Sequence, residues 1–282
     1  MYPNLFHLPE WFPILGATPV TSYGVMMLAS FLVGGYFLRA EMVRQGQTAD
    51  HAWDLLVMAV IGGLLGARLY YLLLNYDRLA ADPFGMIFAR DGMVWYGGLL
   101  LAVALFFWRI RRVGLPMGGT FDATAPALAI AYAVGRIGCF LVGDDYGRPT
   151  NSWVGIAFPE GKPPTTAASL SAKFGVEIDP AMVERYGEIL PVHPTQLYET
   201  GMSTLIFLVL WHLRRHDRRP GWLFALWLVL AGAERLFVEI FRAKYDRFFG
   251  VLTLAQVVSI ILAGVGTALM IRLGRARRAA GA

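Results

Sequence analysis

FDATAPALAIAYAV (121–134) runs directly into GRIGCFLVGDDYGRPT (135–150), so a predominantly apolar segment ends on Arg136 and is followed by a pair of aspartates, Asp144 and Asp145. Charge at the end of such a segment needs a physical reason, which depends on the solvent around the chain. Of the 282 residues, 56% are hydrophobic and 16% are charged, and the mean hydropathy is +0.51; soluble domains carry about 25% charged residues. The composition is that of an all-α integral membrane protein. A spanning helix takes roughly 20 predominantly apolar residues. Seven segments qualify, near 21–38, 51–74, 93–108, 118–140, 195–213, 221–241 and 252–270. The opening MYPNLFHLPEWF has no basic stretch and no small-residue cleavage site follows the first apolar run, which argues against a removed signal peptide. Its aromatic residues suit a segment lying in the membrane interface.

Basic residues set the orientation. Arg39 and Arg44; Arg109, Arg111 and Arg112; Arg214, Arg215, Arg218 and Arg219; and Arg272, Arg275, Arg277 and Arg278 fall at alternate segment ends, thirteen on one side. By the positive-inside rule that side is cytoplasmic, which puts the N-terminus outside and the C-terminus inside. The net charge of +5 and pI near 9.4 then express topology and attraction to anionic lipid heads, and no nucleic-acid motif accompanies them. The single cysteine, Cys139, excludes an internal disulfide and any CxxC site. Residues 1–282 read as a single membrane domain in which 141–192, expected outside the membrane, is an insertion rather than an independent domain; its GKPPTT reads as loop.

An ionisable residue at membrane depth is costly and usually faces a protein interior or an aqueous cavity. Four stretches carry such residues. In the first, Arg136 offers a planar fork of donors that matches a phosphate, with Gly138, Cys139, Asp144, Asp145 and Gly147 close by; an arginine snorkelling to the interface and paired with an aspartate fits equally well. In the second, GWLFALWLVLAGAERLFVEIFR (221–242), Arg235, Glu239 and Arg242 are spaced i, i+4 and i+7, which a helix aligns on one face. That row is either a structural ion-pair stripe or the wall of a polar cavity with spare positive charge. In the third, PVHPTQLYET (191–200), His193, Gln196, Tyr198 and Glu199 lie at a helix entrance, where Thr195 or Pro194 starting the helix and Glu199 complementing its dipole would explain them. In the fourth, GMVWYGGLLLAV (92–103), Tyr96 suits an aromatic belt and the Gly pair suits close helix packing; IGGLLGARLYY has similar glycines and the intramembrane cation Arg68. By this topology Tyr96, Arg136, His193, Arg235 and Glu239 gather toward the outer leaflet, where a polar pocket would suit a phospholipid head group.

SYGVMM, GGLLGAR, YGG, GRIGCFLVGDDYG, HPTQLYE, ERLFVEIFR and LTLAQVVSI, in this order along nearly the whole chain, resemble the prolipoprotein diacylglyceryl transferase family. The resemblance implies a seven-helix enzyme of the bacterial cytoplasmic (inner) membrane. Such an enzyme moves the diacylglyceryl group of phosphatidylglycerol to the lipobox cysteine of a prolipoprotein signal peptide and releases glycerol phosphate. It implies no cofactor, metal or nucleic acid; its partners are the two substrates and membrane lipid. A thiol with pKa near 8.5 needs a base or a positive field, and guanidinium donors stabilise a leaving phosphate. The implied catalytic set is Arg136, Arg235, Tyr96, Asp144 and Glu239, with Glu239 orienting Arg235. Tyr23, Cys139, Gly147, His193, Gln196, Tyr198 and Arg242 join Arg136 as substrate-binding positions. Departures from the family signature are Cys139 for Asn, Val142 for Asn, Asp144 for Glu and, at the third span, Tyr96 for His. A phenol with pKa near 10 is a poor base at neutral pH, so either the family's histidine is not the essential base here or the proton goes to Asp144, Glu239 or His193.

Overall fold

The computed structural model describes residues 2–7, 9, 11, 18–88, 92–243, 247–248 and 252–275. Arg277 and Arg278 of the basic tail lie outside them, and so does Phe12 of the opening segment. The described chain is mostly helical. Its elements are β1 (Asn4–His7), β2 (Pro19–Thr21), α1 (Ser22–Arg44), α2 (Ala49–Leu74), α3 (Tyr76–Ala81), α4 (Pro83–Phe88), α5 (Trp95–Val113), α6 (Met117–Val142), α7 (Ala167–Phe174), α8 (Pro180–Tyr186), α9 (Thr195–Leu213), α10 (Trp222–Glu239), β3 (Arg247–Phe248), β4 (Leu252–Thr253) and α11 (Leu254–Arg275).

Four of these helices, α1, α2, α6 and α11, are long and apolar enough to cross a membrane among the described residues. The other three expected segments also form helices, but shorter ones, of 19, 19 and 18 residues, so their polar residues take up part of the length a span would need. Helix α5 ends in Arg109, Arg111 and Arg112, α9 opens on Thr195, Gln196, Tyr198 and Glu199, and α10 contains Glu234, Arg235 and Glu239. On α11, Ile260, Ile261, Val265 and Ile271 are all exposed, an apolar face that water would penalise and lipid would not. Part of the opening segment pairs β1 antiparallel with β2, His7 opposite Pro19 and Asn4 opposite Thr21.

Two compact units are present, residues 37–120 and residues 1–36 with 121–282. In the first, α2 and α5 pack through glycines. A Cβ on Gly66 would stand 2.3 Å from the Gly97 carbonyl oxygen, and one on Gly98 would stand 2.7 Å from that of Gly63. GGLLGAR and YGG therefore bring two backbones together, as small residues do between membrane helices. Arg68, the intramembrane cation of GGLLGAR, donates to backbone: Nη1 to the Gly92 carbonyl at 2.9 Å and Nη2 to that of Met86. Arg109 of α5 pairs with Asp54 of α2.

In the second unit, Ser30 Oγ of α1 donates to the Ala131 carbonyl of α6 at 2.7 Å, and the alanines 123, 125, 127, 129 and 133 make α6 a thin, buried helix. Helices α10 and α11 meet at Gly232 and Gly266. The first turn of α10 has no side-chain cap of its own, since Gly221 precedes it in a left-handed conformation. Asp122 of α6 supplies the cap from a distance, accepting from Gly221 N at 2.7 Å and Phe224 N at 2.9 Å. Substitution Asp122→Ala is expected to cost about 1–2 kcal/mol, read as a fall in melting temperature that Asp122→Asn, which keeps one of the two acceptor oxygens, spares only in part; an unchanged melting temperature would remove this role. The insertion is more than loop. Tyr146, Phe158, Leu170, Met182, Leu190 and Val192 form a small core of their own, and Thr166 and Asp179 cap α7 and α8.

Candidate functional site

Three stretches far apart in sequence are laced together by backbone bonds beside the end of α6. Gly147 N donates to the His193 carbonyl at 2.8 Å, His193 N returns a bond to Arg148 at 3.0 Å, and Arg148 N reaches the Phe241 carbonyl at 2.7 Å. Gly147 is required for this approach: a Cβ there would sit 2.4 Å from the Phe241 oxygen and 2.8 Å from the His193 Cβ. Side chains complete the lacing. Thr195 Oγ1 donates to the Asp145 carbonyl at 2.8 Å and Gln196 Nε2 to the Asp144 carbonyl at 2.6 Å. Thr195 thus holds the loop rather than capping α9, whose first turn follows Pro194 without a side-chain cap. Asp145, at φ 58°, adopts a left-handed conformation uncommon outside glycine, and the tertiary bonds around it hold it there.

The consequence is a closed ring of charge. Arg136 pairs with Asp145 through Nη1 at 3.0 Å and with Glu199 through Nη2. Glu199 is shared with Arg235 at 3.3 Å, Arg235 pairs with Glu239 at 2.8 Å, and Glu239 lies 4.0 Å from Arg242 Nε. Arg242 closes the circuit on Asp145. Each of three guanidiniums touches two carboxylates, and each carboxylate touches two guanidiniums. The question raised by the end of α6 is answered here: Arg136 is one corner of this ring and Asp145 another.

Two expectations change. The 221–242 row reads in sequence with Arg242 on the same helical face as Arg235 and Glu239, either as an ion-pair stripe or as a cavity wall with spare positive charge. Instead α10 ends at Glu239, Arg242 lies beyond the helix, and Glu199 and Asp145 come in from elsewhere to balance the charges. Glu199, whose place at a helix entrance suggested only a dipole role, is 1% exposed and also accepts from Tyr132 Oη at 2.9 Å. Nothing in local spacing could find it; the signal was a carboxylate in a segment otherwise heading into an apolar helix. Tyr132 and Ser203 also escaped the sequence reading; Ser203 Oγ donates at 2.6 Å to the buried Glu234, a charged residue of the 221–242 stretch.

Of the remaining candidates, Tyr23 packs with Met26 over Gly138 of α6. Cys139 Sγ accepts from Arg136 Nη1 at 3.4 Å. The Asp144 carboxyl lies against that thiol and stands outside the ring, and burial holds its pKa above the usual carboxylate range. His193 Nδ1 lies 3.1 Å from Tyr198 Oη, and both rings face Phe241; burial lowers the imidazole pKa, so it is neutral at pH 7. Tyr96 belongs to the unit 37–120, in the first turn of α5, with its ring edge-on to Trp95 at 5.3 Å.

Comparison with known proteins gives a consistent result. The model of one family, described as prolipoprotein diacylglyceryl transferase, matches residues 9–272. A protein of Burkholderia thailandensis is 34% identical over 298 residues, covering 96% of this chain and 99% of the relative. One of Vibrio vulnificus (strain CMCP6) is 31% identical over 278 residues, covering 95% and 92%, and one of Clostridium tetani is 25% identical over 259 residues, covering 92% and 94%. All three carry the name phosphatidylglycerol–prolipoprotein diacylglyceryl transferase.

Proposed function

The chain belongs to the prolipoprotein diacylglyceryl transferase family, and from that premise we propose which of its residues carry the transfer. It is a multi-pass membrane protein and a transferase that moves a diacylglyceryl group from phosphatidylglycerol to a prolipoprotein. The acceptor in our proposal is the thiol of a lipobox cysteine, the product is a thioether, and glycerol phosphate is released. Seven spans in the bacterial cytoplasmic membrane, N-terminus outside, are proposed from the seven apolar segments and the alternation of arginines.

The observation that carries the site assignment is the ring, together with its uneven exposure. The side chain of Arg235 is 29% exposed, against 8% for Arg136 and 3% for Arg242. A lipid phosphate would reach the ring at Arg235, taking up donors now held by Glu199, with Arg136 behind it. As the carbon–oxygen bond breaks, charge builds on the departing phosphate between guanidiniums already held in place, so little reorganisation is needed. Glu239 keeps Arg235 aimed and Asp145 does the same for Arg136. The thiol proton goes outside the ring, because a carboxylate shared by two guanidiniums is a weak base; Asp144 and the neutral imidazole of His193 are the groups placed there. Tyr23, Cys139, Gly147 and Tyr198 shape the surroundings.

The test is an assay of the purified protein in detergent with phosphatidylglycerol and a lipobox peptide. The expected result is a peptide mass gain of one diacylglyceryl group with release of glycerol phosphate, both abolished by Arg235→Ala. No mass gain where another family member transfers would leave a lipid-binding protein without catalysis.

A further inference from the structure

Beside the ring, and at its Arg242 corner, lie buried polar atoms without hydrogen bonds. Gln196 is 0% exposed and Arg242 is 3% exposed. Gln196 Oε1 and Asp144 Oδ1 are buried acceptors with no hydrogen-bond partner among the described residues; Arg242 Nη1 is a buried donor in the same condition, and Arg242 Nε has only the 4.0 Å ion-pair approach of Glu239 and no hydrogen bond. The atoms belong to one neighbourhood: Gln196 Nε2 is bonded to the Asp144 backbone, and Arg242 is paired with the adjacent Asp145. A buried polar atom left unpaired is costly, and several together point to a ligand that supplies their partners.

We propose that Asp144, Gln196 and Arg242 form a subsite that reads the two free hydroxyls of the head-group glycerol. The proposal rests on the transferase assignment above and adds to it the basis of lipid selection. A vicinal diol brings two donors and two acceptor oxygens, which matches two orphan acceptors and two orphan donors. It is uncharged, as required of a group entering beside a ring whose charges already balance. An ammonium head group would bring donors only, leave the two Arg242 donors unpaired and set a second cation against the guanidinium. Asp144 and Gln196 select by accepting from the hydroxyls, while Arg242 donates to their oxygens.

The experiment measures initial rates of transfer to a lipobox peptide from phosphatidylglycerol, from its two head-group monodeoxy analogues and from phosphatidylethanolamine. The wild-type protein is expected to prefer phosphatidylglycerol over each deoxy analogue by roughly 10–100-fold in kcat/KM, the effect of leaving a buried polar group unpaired. Gln196→Met and Asp144→Leu are expected to bring one or the other ratio close to unity, Asp144→Leu at a lower overall rate because a candidate proton acceptor is also lost, whereas Asp144→Asn, which keeps an acceptor for the hydroxyl, retains most of the ratio at a similarly lowered rate. A purely structural role would lower all rates together and leave the ratios alone. Equal use of the deoxy lipids by the wild-type protein would overturn the subsite without any variant, and so would unchanged ratios in folded Gln196→Met and Asp144→Leu. If the wild-type protein transferred from no lipid, the transferase assignment would fail on its own. The subsite is then judged by displacement of a fluorescent phosphatidylglycerol from the detergent-purified protein: preference for the diol lipid, lost in Gln196→Met, supports it, and equal displacement overturns it.

Discussion

Replacing Arg136 by alanine is expected to lower transfer by at least about a hundredfold, the effect of deleting one preorganised donor from a site where charge develops. Arg136→Lys should recover little of it. The native guanidinium reaches Asp145 with Nη1 and Glu199 with Nη2 at once, and an ammonium is a point donor that cannot span both with the same geometry. Initial rates over a range of phosphatidylglycerol concentrations separate the two parts of the effect. Loss mainly in kcat would place the guanidinium at the leaving phosphate, and loss mainly in KM would place it at ground-state binding. Activity retained within a few-fold in Arg136→Ala would remove Arg136 from the reaction and leave it a structural corner of the ring.

The sequence carried much of this, unevenly. Apolar run length located the helices, and the glycines of GGLLGAR and YGG were legible as packing positions because close helix approach has few other solutions. The i, i+4 spacing of Arg235 and Glu239 was legible for the same reason: one helix fixes both. What could not be read was any contact made across segments. Arg242 and Asp145 are 97 residues apart, and no periodicity links them. Glu199 looked like a dipole partner because its own helix offers that explanation, and only the meeting of α9 with α6 and α10 reveals two guanidiniums on it. The end of α10 at Glu239 was hidden too, since the apolar pattern continues through Ile240 and Phe241 while the backbone has already turned to lace with Arg148. In the insertion, short helices and isolated bridges leave little periodic signal, yet a core of six buried side chains forms.

Substitution Glu199→Gln is the sharpest test of the ring as a unit. Glu199 is 1% exposed and shared by Arg136 and Arg235, so removing its charge leaves two cations facing each other in a poorly solvated interior. Breaking a buried pair by deleting one partner costs about 3–5 kcal/mol, which corresponds to a fall of roughly 10 °C in melting temperature for a chain of this size. Arg235→Gln, made alone, orphans carboxylates in the same way. If the ring is a unit, the double variant Glu199→Gln with Arg235→Gln loses less than the sum of the two, because opposite charges leave together and the remainder is again balanced. Strict additivity of the two losses would mean that Glu199 and Arg235 act independently. The same cycle bears on mechanism: a phosphate that binds by taking Arg235 donors from Glu199 re-creates the balance that Glu199→Gln removes. Saturating phosphatidylglycerol is therefore expected to restore more melting temperature to the single Glu199→Gln variant than to the wild-type protein.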